Sequence, residues 1–173
     1  GHSEGSLIGM IASKEKADGY ISIAGAGRPI DEILEEQVAK QAPFLKAELR
    51  KNFDILKSGK TFKLENQMLS ALLRESVQPY LISWFKYDPR IEIKKLQIPV
   101  LIINGTKDLQ VPESDAKLLH EAYPKSELVL IENMNHVFKE IKQDSDNAKS
   151  YNNPELPVMP ELIEKIATYT KKI

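Results

Sequence analysis

One apolar run, residues 98–105 (IPVLIING), constrains the fold of this chain more than any other stretch. Its valine, leucine and isoleucine side chains are continuous rather than alternating, so a strand there would be buried on both faces. Strands of that kind occur in parallel sheets that helices cover on both sides. Pro99 stands at the first residues of the run, where a missing N–H costs a strand least. The run therefore predicts a parallel strand in an α/β protein.

The rest of the chain supplies the other elements that such a sheet needs. Shorter apolar runs predict strands at Tyr20–Ala24 and Glu127–Ile131. Apolar residues at helical spacing predict three helices, at residues 4–15, 112–122 and 160–169. Residues 139–158 are polar and rich in Asn, Asp and Pro, which predicts a loop.

Residues 30–88 show helical spacing and no strand-like alternation. Pro43 and Gly59 divide this stretch into separate helices. It therefore reads as a helical insertion between two strands. With it, the alternation of helices and strands over 1–173 predicts a single α/β domain.

The composition excludes several classes of function. The 173 residues hold 24 Lys and Arg against 25 Asp and Glu, so no basic field is available to hold nucleic acid. No apolar run approaches the roughly 20 residues that span a bilayer. Cysteine is absent, the three histidines are scattered and no Gly-rich phosphate loop is present, so we expect no metal and no cofactor. The compartment stays open, because secreted and intracellular proteins can both lack cysteine.

Residues 1–5 (GHSEG) match the pattern G-x-S-x-G and lead into a small, apolar run at 6–12. In a nucleophile elbow, a strand turns sharply at a serine and enters a helix at once, so small residues two positions on either side avoid clashes. The turn presents the serine Oγ at the helix N-terminus, where the dipole and free N–H groups favour a developing negative charge. Ser3 is therefore the candidate nucleophile. The alternative is a flexible start rich in Gly and Ser.

Two further side chains of catalytic type follow predicted strands. Asp108 comes shortly after the strand at 98–105, and His136 comes shortly after the strand at 127–131. In open α/β sheets, catalytic groups lie beyond the carboxyl ends of strands, so we expect both residues at the same edge as Ser3. Serine, aspartate and histidine in this chain order form one of the known arrangements of a catalytic triad.

Acyl-transfer chemistry gives each of these residues a role. Ser3 Oγ is expected to attack an acyl carbon, while His136 takes the serine proton through Nε2 and returns it to the leaving group. Asp108 is expected to accept from Nδ1–H of His136, which fixes the tautomer and stabilises the imidazolium. The backbone N–H of Glu4 is the expected oxyanion-hole donor, and a second donor normally comes from a loop far upstream.

Each of these residues also has an ordinary explanation. A loop histidine is usually a surface residue, and an aspartate shortly before Pro112 can cap a turn or helix. The correct residue types at the correct strand ends, in the correct order, favour the triad.

Other residues fit the roles less well. His2 adjoins the nucleophile and is expected to point away from it, and His120 falls inside a predicted helix and is expected at the surface. Asp88 and Asp115 do not closely follow a strand.

The segments 1–5, 98–108 with Val111-Pro112, and 135–138 resemble the C-terminal part of a serine hydrolase of the α/β-hydrolase superfamily. They are similar to those of the bacterial esterases and the serine aminopeptidase-like hydrolases in that superfamily. The resemblance implies a partial α/β-hydrolase fold, with parallel strands flanked by helices. It also implies that 30–88 is the lid or cap, the most variable part of such enzymes and the part that shapes substrate choice.

The function that this resemblance implies is cleavage of carboxylic esters of small acyl substrates through an acyl-serine intermediate. An amidase or peptidase would use the same triad. A serine at the elbow, in place of an aspartate, argues against alkyl-halide or epoxide chemistry. From another class, the chain could be a non-catalytic α/β fragment that serves in binding or assembly.

The resemblance further implies parts that these residues do not encode. Of a sheet of about eight strands, only the last three are expected here, without the strand that feeds the nucleophile or the oxyanion loop. Strands that lack neighbours expose unpaired edges and apolar surface. We therefore expect the chain on its own to be a poor catalyst and to self-associate through the exposed sheet edge.

Light scattering on the isolated chain tests the expected association, because exposed strand edges favour oligomers whose population rises with concentration. A strictly monomeric, soluble chain would contradict it. Turnover of p-nitrophenyl acetate by the isolated chain, abolished by Ser3→Ala, would contradict the expectation of poor catalysis.

Overall fold

A three-stranded parallel sheet has β2 (Val100–Gly105) at its centre, between β1 (Tyr20–Ile23) and β3 (Glu127–Ile131). This description rests on a computed structural model of residues 1–173. Both neighbours run parallel to β2, and every residue of β2 is buried, which confirms what its continuous apolar run predicted. The predicted strands differ from the observed ones by at most two residues at an end.

Nine helices accompany the strands. In chain order they are α1 (Glu4–Ala12), α2 (Ile30–Gln41), α3 (Lys46–Lys57), α4 (Ser70–Leu73), α5 (Gln78–Trp84), α6 (Pro89–Lys94), α7 (Glu113–Ala122), α8 (Asp144–Ser150) and α9 (Pro160–Thr170). Two short 3₁₀ turns add Pro43–Leu45 and Gln67–Leu69. No helix combines the length and the apolar content that a bilayer crossing requires.

The chain divides into two compact units, residues 1–27 with 89–173, and residues 28–88. The first unit contains the sheet, and alternate residues of β2 supply two cores on its opposite faces. Val100 and Ile102 pack with residues of α1, α6 and α7 in one core, whereas Leu101 and Ile103 pack with residues of α9 in the other. Helices therefore cover both faces, as an α/β architecture requires.

The first three residues extend this sheet beyond β1. The carbonyl of Gly1 accepts from the N–H of Ile23 at 2.8 Å, and the N–H of Ser3 donates to the carbonyl of Ile23 at 2.9 Å. His2 thus pairs with Ile23 in the parallel sense. The strand that feeds the nucleophile was expected to be absent, but its last residues are present and paired in the sheet.

The second unit is helical, as the spacing over 30–88 predicted, and has its own core of leucines around Phe53. Gln78 is fully buried there and satisfies its amide on the backbone. Its Nε2 donates to the carbonyls of Phe62 and Leu73, at 3.0 and 2.8 Å, and its Oε1 accepts from the N–H of Phe62 at 2.8 Å. These bonds anchor the non-helical stretch between α3 and α4.

Two further predictions about the first unit were wrong. Residues 139–158 were predicted as a loop but contain α8, whose Asn147 and Ser150 are buried polar residues that hydrogen bonds satisfy. Asn147 also donates to the carbonyl of Lys107, 40 positions away, so the polar composition of the segment does not reveal that it is buried. β3 was predicted to be buried, but only Ile131 is, because β3 lies at the edge of the sheet.

Candidate active site

Ser3 occupies a strained turn between the strand end and α1. Its φ of 53° and ψ of −123° lie in a region that costs a non-glycine residue roughly 1–3 kcal/mol. On the strand side its N–H donates to Ile23, and on the helix side its carbonyl accepts from the N–H of Ser6 at 2.9 Å. Strand pairing and helix initiation thus fix both sides of the strained residue, which is the geometry of a nucleophile elbow.

The two glycines of the elbow differ in how strongly the structure requires them. A Cβ on Gly1 would lie 2.1 Å from the carbonyl oxygen of Gly5, so a larger residue cannot occupy position 1 without moving the backbone. A Cβ on Gly5 would meet nothing within 4 Å. Small residues were expected to be necessary at both positions, and within this chain the steric need falls on Gly1 alone.

The helix that follows Ser3 begins at Glu4. The N–H groups of the first helical turn have no partner inside the helix, and the helix dipole makes this end positive. The N–H of Glu4 is therefore at the position from which a donor can stabilise negative charge next to Ser3.

Asp108 and His136 are joined directly by a hydrogen bond of 2.7 Å between Asp108 Oδ2 and His136 Nδ1. Both side chains are buried, with 1% and 5% of their surface exposed. The other carboxylate oxygen of Asp108 accepts from the N–H groups of Gln110 and Val111, at 2.8 and 2.9 Å. Asp108 is therefore both a turn cap and the partner of His136, and the cap fixes the direction of its Oδ2.

No hydrogen bond joins Ser3 Oγ to His136, so the structure brings together two of the three predicted residues directly. Catalytic hydrogen bonds are often long without substrate and tighten only when it binds. Ser3 follows the strand end beside β1, Asp108 follows β2 and His136 follows β3. All three therefore lie beyond the carboxyl ends of parallel strands.

His2 links the strand of Ser3 to the loop of His136. Its ring lies 4.8 Å from the ring of His136 and 4.6 Å, edge to face, from the ring of Phe138. Its Nε2 is 3.0 Å from the carbonyl oxygen of His136, to which it donates. Sequence reasoning placed His2 only as a neighbour that points away from Ser3, and it missed this contact.

The environment of His2 favours its neutral form. Burial lowers its pKa, and the nearby His136 lowers it further. The bond to the carbonyl of His136 and the charge of Asp108 act in the opposite direction without cancelling these effects. His2 is therefore suited to donate from Nε2 as a neutral imidazole.

The other candidates have structural partners. Nδ1 of His120 lies 2.9 Å from Oγ of Ser126, and His120 is partly buried in α7 rather than a surface residue as expected. Asp115 is fully buried and accepts from the N–H of Gly27 at 2.9 Å, which holds the loop after β1. These contacts account for both residues without a catalytic role.

Tyr151 is a further residue near Asp108 and His136 that the sequence did not indicate. Its hydroxyl is buried and lacks a hydrogen bond of standard geometry. Burial raises its pKa, as does the charge of Asp108, and the N–H groups of Leu109 and His136 offset part of that rise. The hydroxyl therefore lies close to the loops of the acid and the base.

Comparison with a curated protein identifies an esterase as a relative. The chain is 29% identical over 144 residues to Esterase EstD from Thermotoga maritima. The match covers 79% of the chain and 34% of the esterase, so the chain spans about a third of that relative's length. No protein-family model matches the chain.

Solved structures of esterases share the fold. A thermophilic esterase from Thermogutta terrifontis, with malate bound, matches with a TM-score of 0.53 and 16% identity over 99% of this chain and 63% of its own. Another thermophilic esterase matches with a TM-score of 0.50 and 22% identity, over 99% and 64% of the two chains. Est1E from Butyrivibrio proteoclasticus matches with a TM-score of 0.50 and 18% identity, over 96% and 60%.

These comparisons confirm the fold that the resemblance implied. The chain has a partial α/β-hydrolase fold, in which three parallel strands are flanked by helices. The resemblance to esterases of that superfamily is confirmed as well.

The lowered pKa of His2 predicts a pH-dependent stability. The unfolded chain binds a proton near the ordinary histidine value of 6.5, whereas folded His2 binds it only at lower pH. Lowering the pH from that value through the folded pKa therefore favours unfolding. In urea titrations, the free energy of unfolding should fall more steeply over this range in the unmodified chain than in His2→Phe, which keeps a ring but takes no proton. Equal slopes would contradict the prediction.

Proposed function

We propose that this chain carries the catalytic triad of a serine esterase, formed by Ser3, Asp108 and His136. The observation that carries the proposal is the buried 2.7 Å bond between Asp108 Oδ2 and His136 Nδ1, at the strand ends next to a strained serine. A carboxylate buried against an imidazole serves to orient the ring and to stabilise it when it gains a proton. The esterase relative supports the same reaction class. The chain spans about a third of that relative, so we propose this activity for the longest gene product that contains the chain.

The first half of the reaction forms an acyl-enzyme. Ser3 Oγ attacks the carbonyl carbon of the ester as its proton moves to Nε2 of His136. The carbonyl oxygen becomes an oxyanion, which the N–H of Glu4 and a second donor stabilise. As the tetrahedral intermediate collapses, the bond to the alkoxy group breaks, and His136 gives its proton to the departing alcohol.

The second half releases the acid. Water attacks the acyl-serine carbonyl while His136 Nε2 takes its proton, and the new tetrahedral intermediate expels Ser3 Oγ, which recovers that proton. Asp108 accepts from Nδ1–H throughout, so that the imidazolium is stabilised in both halves. These steps use the three side chains, the two oxyanion-hole donors and water.

We propose that residues 30–88 form the lid, the part that shapes substrate choice. Support comes from their position in the chain between β1 and β2, from their helical content and from a separate core of their own. A unit with its own core can vary without disturbing the sheet.

Self-association of the chain through an exposed sheet edge stays a prediction.

A fluorophosphonate probe, which reacts with activated serines, tests the nucleophile in the longest gene product that contains the chain. We expect labelling of Ser3, its loss in Ser3→Ala, and its retention in the exposed matched control Ser58→Ala. Hydrolysis of p-nitrophenyl acetate should fall about 10⁴-fold or more in Asp108→Asn and His136→Gln. The control His120→Gln should keep its activity.

Three results would change the assignment. A labelled residue other than Ser3 would contradict the triad. Faster cleavage of a p-nitroanilide than of the matching p-nitrophenyl ester would indicate an amidase or peptidase with the same triad. Absence of both labelling and turnover in the longest gene product would favour a binding or assembly module.

A further inference from the structure

Helix α8 connects the loop that carries Asp108 to the loop that carries His136. Its Asn147 donates from Nδ2 to the carbonyl of Lys107 at 2.7 Å, and its Oδ1 accepts from Asn135 Nδ2 at 3.3 Å. Lys107 immediately precedes the acid in the chain, and Asn135 immediately precedes the base. One side chain thus binds both loops next to their functional residues.

The contact on the side of the base is part of a buried network. Asn135 also donates from Nδ2 to Ser150 Oγ at 2.7 Å, and Ser150 Oγ donates in turn to the carbonyl of Asn147 at 2.6 Å. The three side chains are 1 to 3% exposed. Because an unsatisfied buried polar group is costly, these groups favour one arrangement over nearby alternatives.

Asn135 also shapes the loop around His136. Its Oδ1 accepts from the N–H groups of Val137 and Lys139, at 3.1 and 2.9 Å. Asn133 and Phe138, on either side, have φ angles of 61° and 68°. Residues in that region persist only when their surroundings determine the conformation strongly. By accepting these two hydrogen bonds, Asn135 fixes the backbone conformation of the loop that carries His136.

We propose that Asn147 is a positioning residue that sets the acid loop against the base loop, and thereby the bond between Asp108 and His136. The inference rests on the proposed function for its catalytic consequence, although the geometry it predicts does not. Catalysis requires productive geometry to within about 0.5 Å, and a misplacement of about 1 Å can cost roughly 100-fold in rate. Loss of Asn147 loosens both loops at the residues next to the acid and the base.

A second hydrogen bond joins the two loops without using Asn147. The N–H of Lys107 donates to the carbonyl of Met134 at 2.9 Å, and no side-chain substitution removes it. At the end of β2, a Cβ on Gly105 would lie 2.0 Å from that same carbonyl oxygen, so the backbones already approach closely. The backbone therefore brings the two loops together, and Asn147 sets their relative orientation.

The test compares Asn147→Leu, which removes both bonds at similar size, with Asn152→Leu, an exposed neighbour in the same segment. In the longest gene product that contains the chain, we expect kcat on p-nitrophenyl acetate to fall about 10- to 100-fold in Asn147→Leu with KM nearly unchanged. Fluorophosphonate labelling of Ser3 should slow in parallel. The NMR resonance of the His136 Nδ1 proton should shift or broaden, whereas Asn152→Leu should leave all three unchanged.

Asn147→Ala removes both contacts without adding a buried charge or a bulky apolar group, and it serves if Asn147→Leu does not fold. We expect the same changes in kcat, labelling and the Nδ1 resonance. A lower melting temperature with unchanged kcat and an unchanged Nδ1 resonance would overturn the proposal. If the unmodified protein neither labels nor turns over, the proposed function fails, while a shifted Nδ1 resonance in Asn147→Leu would still support the positioning role.

Discussion

The burial of β2 on both faces is the constraint on which the rest of this structure depends. Because its alternate side chains enter two different cores, the strand has one stable position and one direction. Its end is equally constrained, since Gly105 lies against the backbone of Met134 with no room for a side chain. The loop that leaves β2 and the loop that leaves β3 must therefore run side by side. The bond between Asp108 and His136 is a consequence of that approach.

Two side chains from other elements, His2 and Asn147, contact the loop of His136 at this edge of the sheet. Toward the strand end beside β1, His2 contacts the ring and the carbonyl of His136, so the strand that ends at Ser3 is tied to the loop of the base. Toward α8, Asn147 ties the same loop to that of the acid. Strain at Ser3 is maintained because neighbouring strand and helix bonds hold it. Ser3, Asp108 and His136 are thus each supported by a contact from a different element.

The sequence predicted the parts of the fold that depend on local pattern. The continuous run at 98–105 identified the central strand, and the strand ends then located Asp108 and His136, because topology alone brings such ends together. The sequence did not predict α8, since its polar residues are buried by partners up to 40 positions away. Nor did it predict the contact of His2 with His136, which depends on the placement of a strand end and a loop that lie 134 positions apart. Hydrogen bonds of this kind leave no periodic signal.

A crystal structure of the fluorophosphonate adduct of the longest gene product that contains the chain tests most directly whether Ser3, Asp108 and His136 act as one catalytic unit. We expect phosphorus bonded to Ser3 Oγ and a phosphonyl oxygen about 2.7–3.1 Å from the N–H of Glu4. We also expect Nε2 of His136 within hydrogen-bond reach of the adduct, with Nδ1 still bound to Asp108. An adduct on another residue, or a His136 ring turned away from Ser3, would show that the three residues do not act together.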